Sequence, residues 1–546
     1  MARDYLERSS PFSDAKDVEL GEMPTQKLRG LSRLGFLASI LAGFASLGAH
    51  AGEDSFVDIA KKVGLADSLG YGKGVSIIDV NGDGWEDIWD LNTNIPKGKS
   101  RPSNPSLYLN RGDGTFEPVE SGVDPRDVKS AWGTAWADFD NDGDPDLVVA
   151  SGGLLRNGKL VLYENRWKSA ERLVNISTSA GITNEKHPWW GASWADFNND
   201  GCADFVAVDR IGRAWLYRND CDKTFTEVAW ELGIEATFEN GRNPVWLDFD
   251  NDGDPDLYLA GKRHHWLYRN DGESGFLDVT DKLGKALMDE SLVFAAFASD
   301  LNHDGNLDLY LGRQVDQDLI AFGRPDGAFE VEGPGVGIVT KVVPDRSENT
   351  MGLGAGDVND DGYVDIMLGT GGPSGPQLDI VFCGRKKQGD SFGVAYVRCG
   401  EFARKGHGKT QTHGIAVGDF DQDGSNEVFY NLGGAPPFDL KHGTESRAFN
   451  VVYSKGKANA KTAAILLQGV DSNRDAIGAR IAIDVSPGNV FHYVIGSAQG
   501  FQSQNSRWQL INLMNSEQAA VSIRWPSGRV TKHTVKAGER RVILER

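Results

Sequence analysis

A nine-residue acidic motif recurs seven times in this 546-residue sequence and constrains its fold more than any other feature. Its pattern is Asp-x-Asp/Asn-x-Asp-Gly-x-x-Asp/Glu, and an apolar, β-prone run follows each copy. The spacing between copies is 52 to 62 residues, long enough for four short strands and their turns. The sequence therefore predicts an all-β protein, a seven-bladed β-propeller with the motifs as loops, followed by a small C-terminal β domain.

The motif places oxygen-bearing side chains at alternate positions, which indicates calcium sites. Side chains at positions 1, 3 and 5 can converge, Gly at position 6 permits the turn, position 7 offers its backbone carbonyl, and position 9 closes the shell. The ligands predicted at positions 1, 3, 5, 7 and 9 are Asp79, Asn81, Asp83, Trp85 and Asp87 (loop 1); Asp138, Asp140, Asp142, Asp144 and Asp146 (loop 2); Asp196, Asn198, Asp200, Cys202 and Asp204 (loop 3); Asp248, Asp250, Asp252, Asp254 and Asp256 (loop 4); Asp300, Asn302, Asp304, Asn306 and Asp308 (loop 5); Asp357, Asn359, Asp361, Tyr363 and Asp365 (loop 6); and Asp419, Asp421, Asp423, Ser425 and Glu427 (loop 7).

Charge supports a cation at these loops. Positions 1, 3, 5 and 9 hold 24 of the 78 acidic residues, and without a cation these carboxylates repel one another. An EF-hand is disfavoured because position 12 of loop 2, Val149, falls in a predicted strand; turns of Asp, Asn and Gly without metal are the alternative. Extracellular sites bind calcium with Kd near 10⁻⁴–10⁻³ M, so each would contribute about 0.5–1.5 kcal/mol at millimolar calcium. We expect about seven structural Ca²⁺ ions.

The net charge of −21 argues against nucleic-acid binding, which needs a basic surface. The N-terminus resembles an export signal: a basic stretch with Arg33 precedes the apolar run 34–48, and Ala49-His50-Ala51 fits a cleavage site. Met23 is an alternative start, and a membrane anchor is the competing interpretation. The mature chain is expected to begin near Gly52, to keep no membrane span, and to be secreted or periplasmic.

Four cysteines in an exported chain suggest two disulfides. Cys202 lies in loop 3, and Cys221 follows a strand that should run antiparallel to the strand after that loop, so Cys202 and Cys221 are expected to pair. The two remaining cysteines, Cys383 and Cys399, are then expected to pair with each other. No C-x-x-C motif is present, which argues against a zinc or thioredoxin-type site.

The repeats resemble FG-GAP/VCBS repeats, the calcium-loop blades also found in integrin α-subunit propellers, over about residues 56–455. The C-terminal segment is similar to the ASPIC/UnbV domain at Ile477-Gly-Ala-Arg480, Gly500-Phe-Gln-Ser-Gln504 and Trp525-Pro-Ser-Gly528. Together they resemble the cartilage-acidic-protein family, which implies a secreted, calcium-binding, adhesive or scaffold-like protein. The expected boundaries are 1–51 for the N-terminal extension and signal, 52–455 for the propeller, 456–462 for a linker and 463–546 for the C-terminal domain.

A ligand site is expected at the propeller face away from the acidic loops. The residues six positions before each loop should ring one mouth of the central channel, and aromatic and cationic side chains suit a glycan or protein ligand. These residues, with a neighbouring Trp, are Lys73, Trp132, Trp189, Trp190, Arg242, Phe294, Met351 and His413. Ordinary packing at strand starts is the competing interpretation. No catalytic motif is evident; an extracytoplasmic enzyme such as a polysaccharide lyase or hydrolase is the alternative function.

Overall fold

The structure is a computed structural model, and the part of the chain that it describes lies within 56–546. The described residues are 56–66, 69–70, 72–92, 106–153, 157–183, 185–237, 239–262, 264–287, 291–343, 346–347, 349–371, 377–389, 391–402, 411–433, 448–456, 461–486, 489–496, 500 and 502–546. The predicted extension and signal (1–51) and residues 457–460 of the predicted linker lie outside this part. Within it, no helix is both long and apolar enough to cross a membrane.

Each acidic loop joins the first and second strands of a four-stranded antiparallel set. The sets, innermost strand first, are Gly72–Ile78, Asp87–Asn92, Ser106–Asn110 and Phe116–Val119 (set 1); Ala131–Ala137, Asp146–Ser151, Leu160–Asn165 and Leu173–Asn175 (set 2); Trp189–Ala195, Asp204–Asp209, Ala214–Asn219 and Phe225–Glu227 (set 3); Pro244–Leu247, Asp256–Leu259, Trp266–Asn270 and Phe276–Asp278 (set 4); Leu292–Ser299, Asp308–Gln314, Leu319–Gly323 and Phe329–Glu332 (set 5); Thr350–Gly356, Asp365–Thr370, Asp379–Lys386 and Val394–Phe402 (set 6); and Thr412–Gly418, Glu427–Leu432, Val451–Ser454 and Val57–Asp58 (set 7).

The sets are arranged around a common axis. The innermost strand of each set contacts the innermost strand of the next, and that of set 7 contacts that of set 1. Sets 6 and 7 share one parallel bridge between Leu353 and Gly414. The two ends of the repeat region meet in set 7, where Val57–Asp58 pairs with Val451–Ser454 as the outermost strand. The all-β prediction is confirmed, and the sheets are consistent with a propeller followed by a C-terminal β domain.

Apolar side chains fill the spaces between neighbouring sets. One such cluster joins sets 2 and 3 and includes Trp194, Phe205 and Tyr217, all almost completely buried. The remaining short elements are helices Ala60–Val63 and Trp167–Ala170, 3₁₀ helices Gly272–Ser274, Thr280–Leu283, Lys285–Leu287 and Pro334–Val336, and the paired strands Leu69–Gly70 with Ala448–Phe449 and Lys341–Val343 with Arg346–Ser347.

The C-terminal domain contains two further sheets around its own apolar core. The three-stranded sheet comprises Gln509–Asn512, Thr462–Gln468 and Arg540–Leu544, and the four-stranded sheet comprises Asn489–Val494, Arg480–Ser486, Gln518–Arg524 and Val530–Lys536. Ile465, Ile483, Val521 and Trp525 lie in the core between them. Tyr363 of loop 6 packs against this core, so the domain and the repeat region share an apolar contact.

Candidate functional site

The acidic loops share one backbone conformation. The glycine at position 6 has φ between 88° and 111° in all seven loops, a left-handed conformation that glycine adopts without strain. Position 4 is also left-handed in every loop, with φ between 54° and 72°. Asn occupies position 4 in loops 2, 3 and 4, as expected for a residue type that tolerates this region. These two reversals turn each loop back on itself, so that its polar side chains face inward.

The first aspartate organises the backbone of most loops. In loop 3, Asp200 N–H donates to Oδ1 of Asp196 at 3.0 Å, and Gly201 N–H donates to Oδ2 at 3.0 Å. The same pair of hydrogen bonds occurs at 2.7–3.1 Å in loops 1, 2, 5 and 6. Burial raises the pKa of Asp196 to about 7. The first aspartate of loop 3 is therefore a desolvated carboxylate, which a bound cation would stabilise.

The acid at position 9 is held at the start of the second strand by two backbone amides. In loop 4, Phe249 N–H donates to Oδ2 of Asp256 at 3.0 Å, and Asn270 N–H donates to Oδ1 at 2.8 Å. Equivalent pairs occur in loops 1, 2, 3, 5 and 6. Burial raises the pKa of Asp256 to about 9. The acid at position 9 thus connects the loop to the third strand of its own set by hydrogen bonds, and it is also a predicted calcium ligand.

Loops 7 and 4 contain oxygens that fit a cation. In loop 7, Oδ1 of Asp419 and Oε2 of Glu427 are buried and have no hydrogen-bond partner. Asp419, Asp421 and Glu427 each present an oxygen within 4.8 Å of the others. Loop 4 has the same convergence at positions 1, 3 and 9, with unpartnered Oδ1 atoms on Asp248 and Asp250. A buried carboxylate oxygen without a donor is unfavourable unless a metal ion fills its place.

Both predicted disulfides are confirmed. Cys202 and Cys221 have Cα atoms 5.8 Å apart, and Cys383 and Cys399 have Cα atoms 5.7 Å apart. The first bond ties position 7 of loop 3 to the turn after the third strand of its set. Although the two sulfurs lie near Asp200, disulfide sulfurs are not thiolates, so they add no metal ligand.

An asparagine at the end of the third strand connects each of four loops to the preceding one. The Asn219 side-chain amide donates to the carbonyl of Ala203 in its own loop at 3.1 Å and to that of Phe139 in the preceding loop at 2.8 Å. Its Oδ1 accepts from Cys221 N–H at 3.0 Å. Asn110, Asn165 and Asn270 make the same contacts. All four asparagines end a Leu-Tyr-x-Asn motif in the sequence. The motif itself gave no indication that its Asn connects two neighbouring sets.

We expect Asn219→Ala to destabilise the protein by about 2–4 kcal/mol, because it removes three hydrogen bonds, two of them buried, and leaves two carbonyls unpaired. Asn219 is 1% exposed. Chemical denaturation at fixed calcium measures the change in free energy of unfolding. Asn175→Ala is the control, because the Asn175 side chain also makes three hydrogen bonds but is exposed; its expected cost is about 1 kcal/mol or less. Equal costs for the two variants would contradict the bridging role.

The side chain at position 4 reaches the following loop in six of the seven loops. Asn141 donates to the Gly201 carbonyl at 3.0 Å, and Gln422 donates to the Gly84 carbonyl at 3.1 Å, which connects loop 7 to loop 1. In loops 3, 4, 5 and 6 the position 4 side chain likewise lies within hydrogen-bond distance of the following loop; these residues are Asn199, Asn251, His303 and Asp360. His303 is expected from the sequence to point outward. Instead its Nε2 lies 3.3 Å from the Gly362 carbonyl oxygen.

The C-terminal domain lies on the loop side of the propeller. The His492 N–H donates to Nδ1 of His303 at 3.1 Å, and Ser506 Oγ donates to Glu86 at 2.6 Å. A cavity of about 280 Å³ lies between the domain and loops 1 and 2, and Asp79, Asp138 and Arg474 are among its lining residues. The sequence identified this domain but contained no sign of which face it would cover.

A segment of the C-terminal domain enters the central axis; residues 500 and 502–507 are called the axial segment. Gln504 Oε1 accepts from Trp136 N–H at 3.0 Å, and Gln504 N–H donates to the Val75 carbonyl at 2.9 Å. A Cβ at Gly133 would lie 2.4 Å from Oε1 of Gln502, and one at Gly191 would lie 2.1 Å from its Nε2. The innermost strands therefore need glycine here to admit the segment.

The residues six positions before the loops converge at one point and form what we call the axial cluster: Lys73, Trp132, Trp190, Arg242, Phe294, Met351 and His413. Each is at most 8% exposed. In sets 2, 3, 5, 6 and 7 the residue sits in a register shift of the innermost strand, as between Ala131 and Gly133. Such a bulge redirects one side chain, here towards the axis. Trp189, also predicted for this site, packs instead against His187 and Trp215.

Two cations contact the aromatic rings of the axial cluster. Trp132 and Trp190 stack with ring centroids 4.2 Å apart. Nζ of Lys73 lies 4.5 Å from the Trp132 ring centroid, and the Arg242 guanidinium carbon lies 4.0 Å from that of Trp190. Neither cation has a carboxylate within ion-pair distance among the described residues. Burial lowers the pKa of Lys73 to about 7 and that of Arg242 to about 9.

Comparison with protein families supports the resemblance seen in the sequence. Residues 92–149, 196–259 and 248–311 match the FG-GAP-like repeat, and residues 469–546 match the ASPIC and UnbV family. The matched repeats include loops 2 to 5. The chain therefore carries FG-GAP-like repeats and an ASPIC and UnbV domain, and the predicted resemblance is confirmed.

Similar proteins include Cartilage acidic protein 1 from three vertebrates. The Xenopus tropicalis protein is 22% identical over 496 residues, 88% of this chain and 65% of the relative. The Mus musculus and Homo sapiens proteins are each 24% identical over 372 residues, 62% of this chain and 55% and 53% of the relatives. The chain thus spans between about half and two thirds of these relatives. A solved structure of an Agrocybe aegerita lectin that recognises non-reducing terminal N-acetylglucosamine has a TM-score of 0.39 and 16% identity, covering 61% of this chain and 79% of the lectin.

Proposed function

We propose that this chain, with its FG-GAP-like repeats and its ASPIC and UnbV domain, is an exported calcium-binding module that recognises a glycan or an extracellular protein. The calcium part is supported by the buried, unpartnered oxygens of Asp419 and Glu427 in loop 7. Two disulfides are typical of oxidising compartments outside the cytoplasm. Loop carboxylates that hold calcium would be occupied as structural ligands, which leaves recognition to another surface.

The axial cluster is the recognition site that we propose. The observation that carries this proposal is the pair of buried cations, Lys73 and Arg242, which stack on Trp132 and Trp190 and have no carboxylate partner among the described residues. Burying unpaired cations is costly, and an anionic group of a ligand would offset that cost. Aromatic rings beside cations also suit the faces of sugar rings and the side chains of a protein partner. Acidic glycans are therefore the first ligands to test.

A glycan array probed with the purified chain, at millimolar calcium and with chelator, tests the proposal. We expect binding of acidic glycans, with affinity lowered more than about tenfold by Trp132→Ala, Trp190→Ala or Lys73→Gln, since each removes a central contact. Trp230→Ala is the matched control because Trp230 is 68% exposed and lies outside the cluster. If every affinity is unchanged in folded Trp132→Ala and Trp190→Ala proteins, the axial cluster is not the ligand site.

A further inference from the structure

The seven acidic loops fall into two classes at position 3. Loops 1, 3, 5 and 6 carry Asn there, whereas loops 2, 4 and 7 carry Asp. In the Asn class the side-chain amide donates to the carboxylate at position 5 at 2.8–3.1 Å, as Asn198 does to Asp200. An ionised Asp at position 3 cannot donate. The Asp-class loops therefore hold four carboxylates without this internal donor.

Arginines of the C-terminal domain pair with the first aspartate of the Asp-class loops. The nitrogen–oxygen distance is 3.2 Å from Arg474 to Asp138 in loop 2 and 3.8 Å from Arg540 to Asp419 in loop 7. Loop 4 receives two guanidinium groups on Asp248, from Arg480 at 3.3 Å and Arg524 at 3.6 Å. Within the described part of the chain, no ion pair reaches positions 1, 3, 5 or 9 of the Asn-class loops. Within the described residues, the loops that pair with arginine are therefore the ones that carry Asp at position 3 as a fourth carboxylate.

The first aspartate loses loop hydrogen bonds in two of the three Asp-class loops. In all four Asn-class loops that aspartate accepts hydrogen bonds from the amides of positions 5 and 6. In loop 7, of the described backbone amides, only that of Gly424 donates to Asp419, at 3.3 Å. In loop 4, among the described residues, Asp248 accepts no backbone hydrogen bond within its loop, and its Oδ2 faces the arginines instead. In loop 2, by contrast, Asp138 keeps both amide hydrogen bonds, at 3.0 and 2.8 Å, while it pairs with Arg474. The loss of loop hydrogen bonds is therefore confined to loops 4 and 7.

We propose that the arginines of the C-terminal domain compete with calcium at loops 2, 4 and 7, so that docking of the domain lowers the calcium affinity of these three loops. A guanidinium stabilises the crowded carboxylates before calcium arrives and repels the ion when it binds. Linkage requires the reverse effect too: calcium at these loops weakens docking of the domain. This inference rests on the calcium binding proposed above and identifies three loops as the ones that respond to the domain.

Calcium binding to full-length variants of loop 4, measured by equilibrium dialysis over a series of free calcium concentrations, tests the inference. Replacing both guanidiniums with Arg480→Gln and Arg524→Gln is expected to raise the affinity of one ion per chain about tenfold, because a cation near the site is removed. Arg524→Gln alone, at a more exposed position, should give a smaller gain. Arg480→Lys with Arg524→Lys keeps the charge and should leave the affinity close to wild type.

Two further variants separate charge competition from general damage. Arg529→Gln removes an arginine of the same domain that pairs with Asp471 rather than with a loop, and calcium affinity should not change. Asp250→Asn in the wild-type background should lower the affinity for one calcium ion. The same change combined with Arg480→Gln and Arg524→Gln should return that affinity towards the wild-type value. Full compensation of this kind is expected only when the fourth carboxylate and the guanidiniums act on the same ion.

Failure of this inference can be distinguished from failure of the proposed calcium binding. If calcium binds but the double Gln variant shows unchanged or reduced affinity, the inference is wrong while the proposed calcium binding stands. A double Lys variant that matches the double Gln variant would likewise refute competition by charge. If the folded wild-type chain binds no calcium, the proposed calcium binding fails, and this inference fails with it.

Discussion

Removal of calcium is expected to lower the stability of the described repeat region by several kcal/mol. Seven sites at about 0.5–1.5 kcal/mol each would give this total at millimolar calcium, and a protein of this size would lose several degrees in thermal midpoint. The physical reason is that the loop carboxylates lie close together, as in loop 7, where Asp421 is half-buried between the buried Asp419 and Glu427. Differential scanning calorimetry in millimolar calcium and in excess EDTA measures the difference.

A loop 7 variant provides the control for chelation. Asp419→Asn with Glu427→Gln removes two of the converging charges, so the calcium-dependent part of the stability should fall by about one site's share, or 0.5–1.5 kcal/mol. The stability in EDTA should rise or stay the same, because two mutually repelling carboxylates are gone. Identical thermal midpoints for the wild-type chain with and without calcium would show that the acidic loops are turns that need no metal.

Lys73→Met is expected to stabilise the protein at pH 6 by about 4 kcal/mol, provided that no anionic ligand is present. Burial lowers the pKa of Lys73 from 10.5 to about 7. The unfolded chain therefore binds more protons than the folded chain between about pH 7 and 10.5, and the stability of the wild-type chain rises with pH across this interval. Below about pH 7 the whole cost of the buried charge is present.

The advantage of Lys73→Met should accordingly shrink as the pH rises from 7 to 10. Urea denaturation at pH 6, 8 and 10, at constant free calcium, gives the three free energies of unfolding. Lys61→Met is the control, since Lys61 is exposed, and it should leave both the stability and its pH dependence nearly unchanged. A variant that is less stable than wild type at pH 6 would show that Lys73 already has a stabilising counter-charge.

The local features of the fold were predictable because each is contained within one repeat. The spacing of the acidic loops predicted four-stranded units, and the antiparallel strands around loop 3 predicted the bond between Cys202 and Cys221. Gly at position 6 predicted a turn, which the structure makes with a left-handed glycine in every loop. Such features depend on neighbours close in sequence, where residue spacing restricts geometry strongly.

The missed features all join distant parts of the chain. Trp136 and Gln504, which hydrogen-bond at the axis, are 368 residues apart. Gly133 and Gly191 occupy the same strand position in successive repeats, and such repeated glycine was a usable signal for a close approach to another segment. The arginines of the C-terminal domain carried no comparable signal, because a charged residue on a strand or in a turn is equally suited to solvent. Their role depends on how the domain docks.

The pairing of Val57–Asp58 with Val451–Ser454 also determines the order of events during synthesis. The first strand of the ring leaves the ribosome almost 400 residues before its partner, as the separation of 394 residues between Asp58 and Val452 shows. Until then the ring is open, and the outer strand of set 7 lacks a neighbour. The axial segment emerges later still. Each new chain must therefore be kept from pairing with other chains until residues 451–454 have been made, a demand that falls on the growing chain rather than on the finished protein.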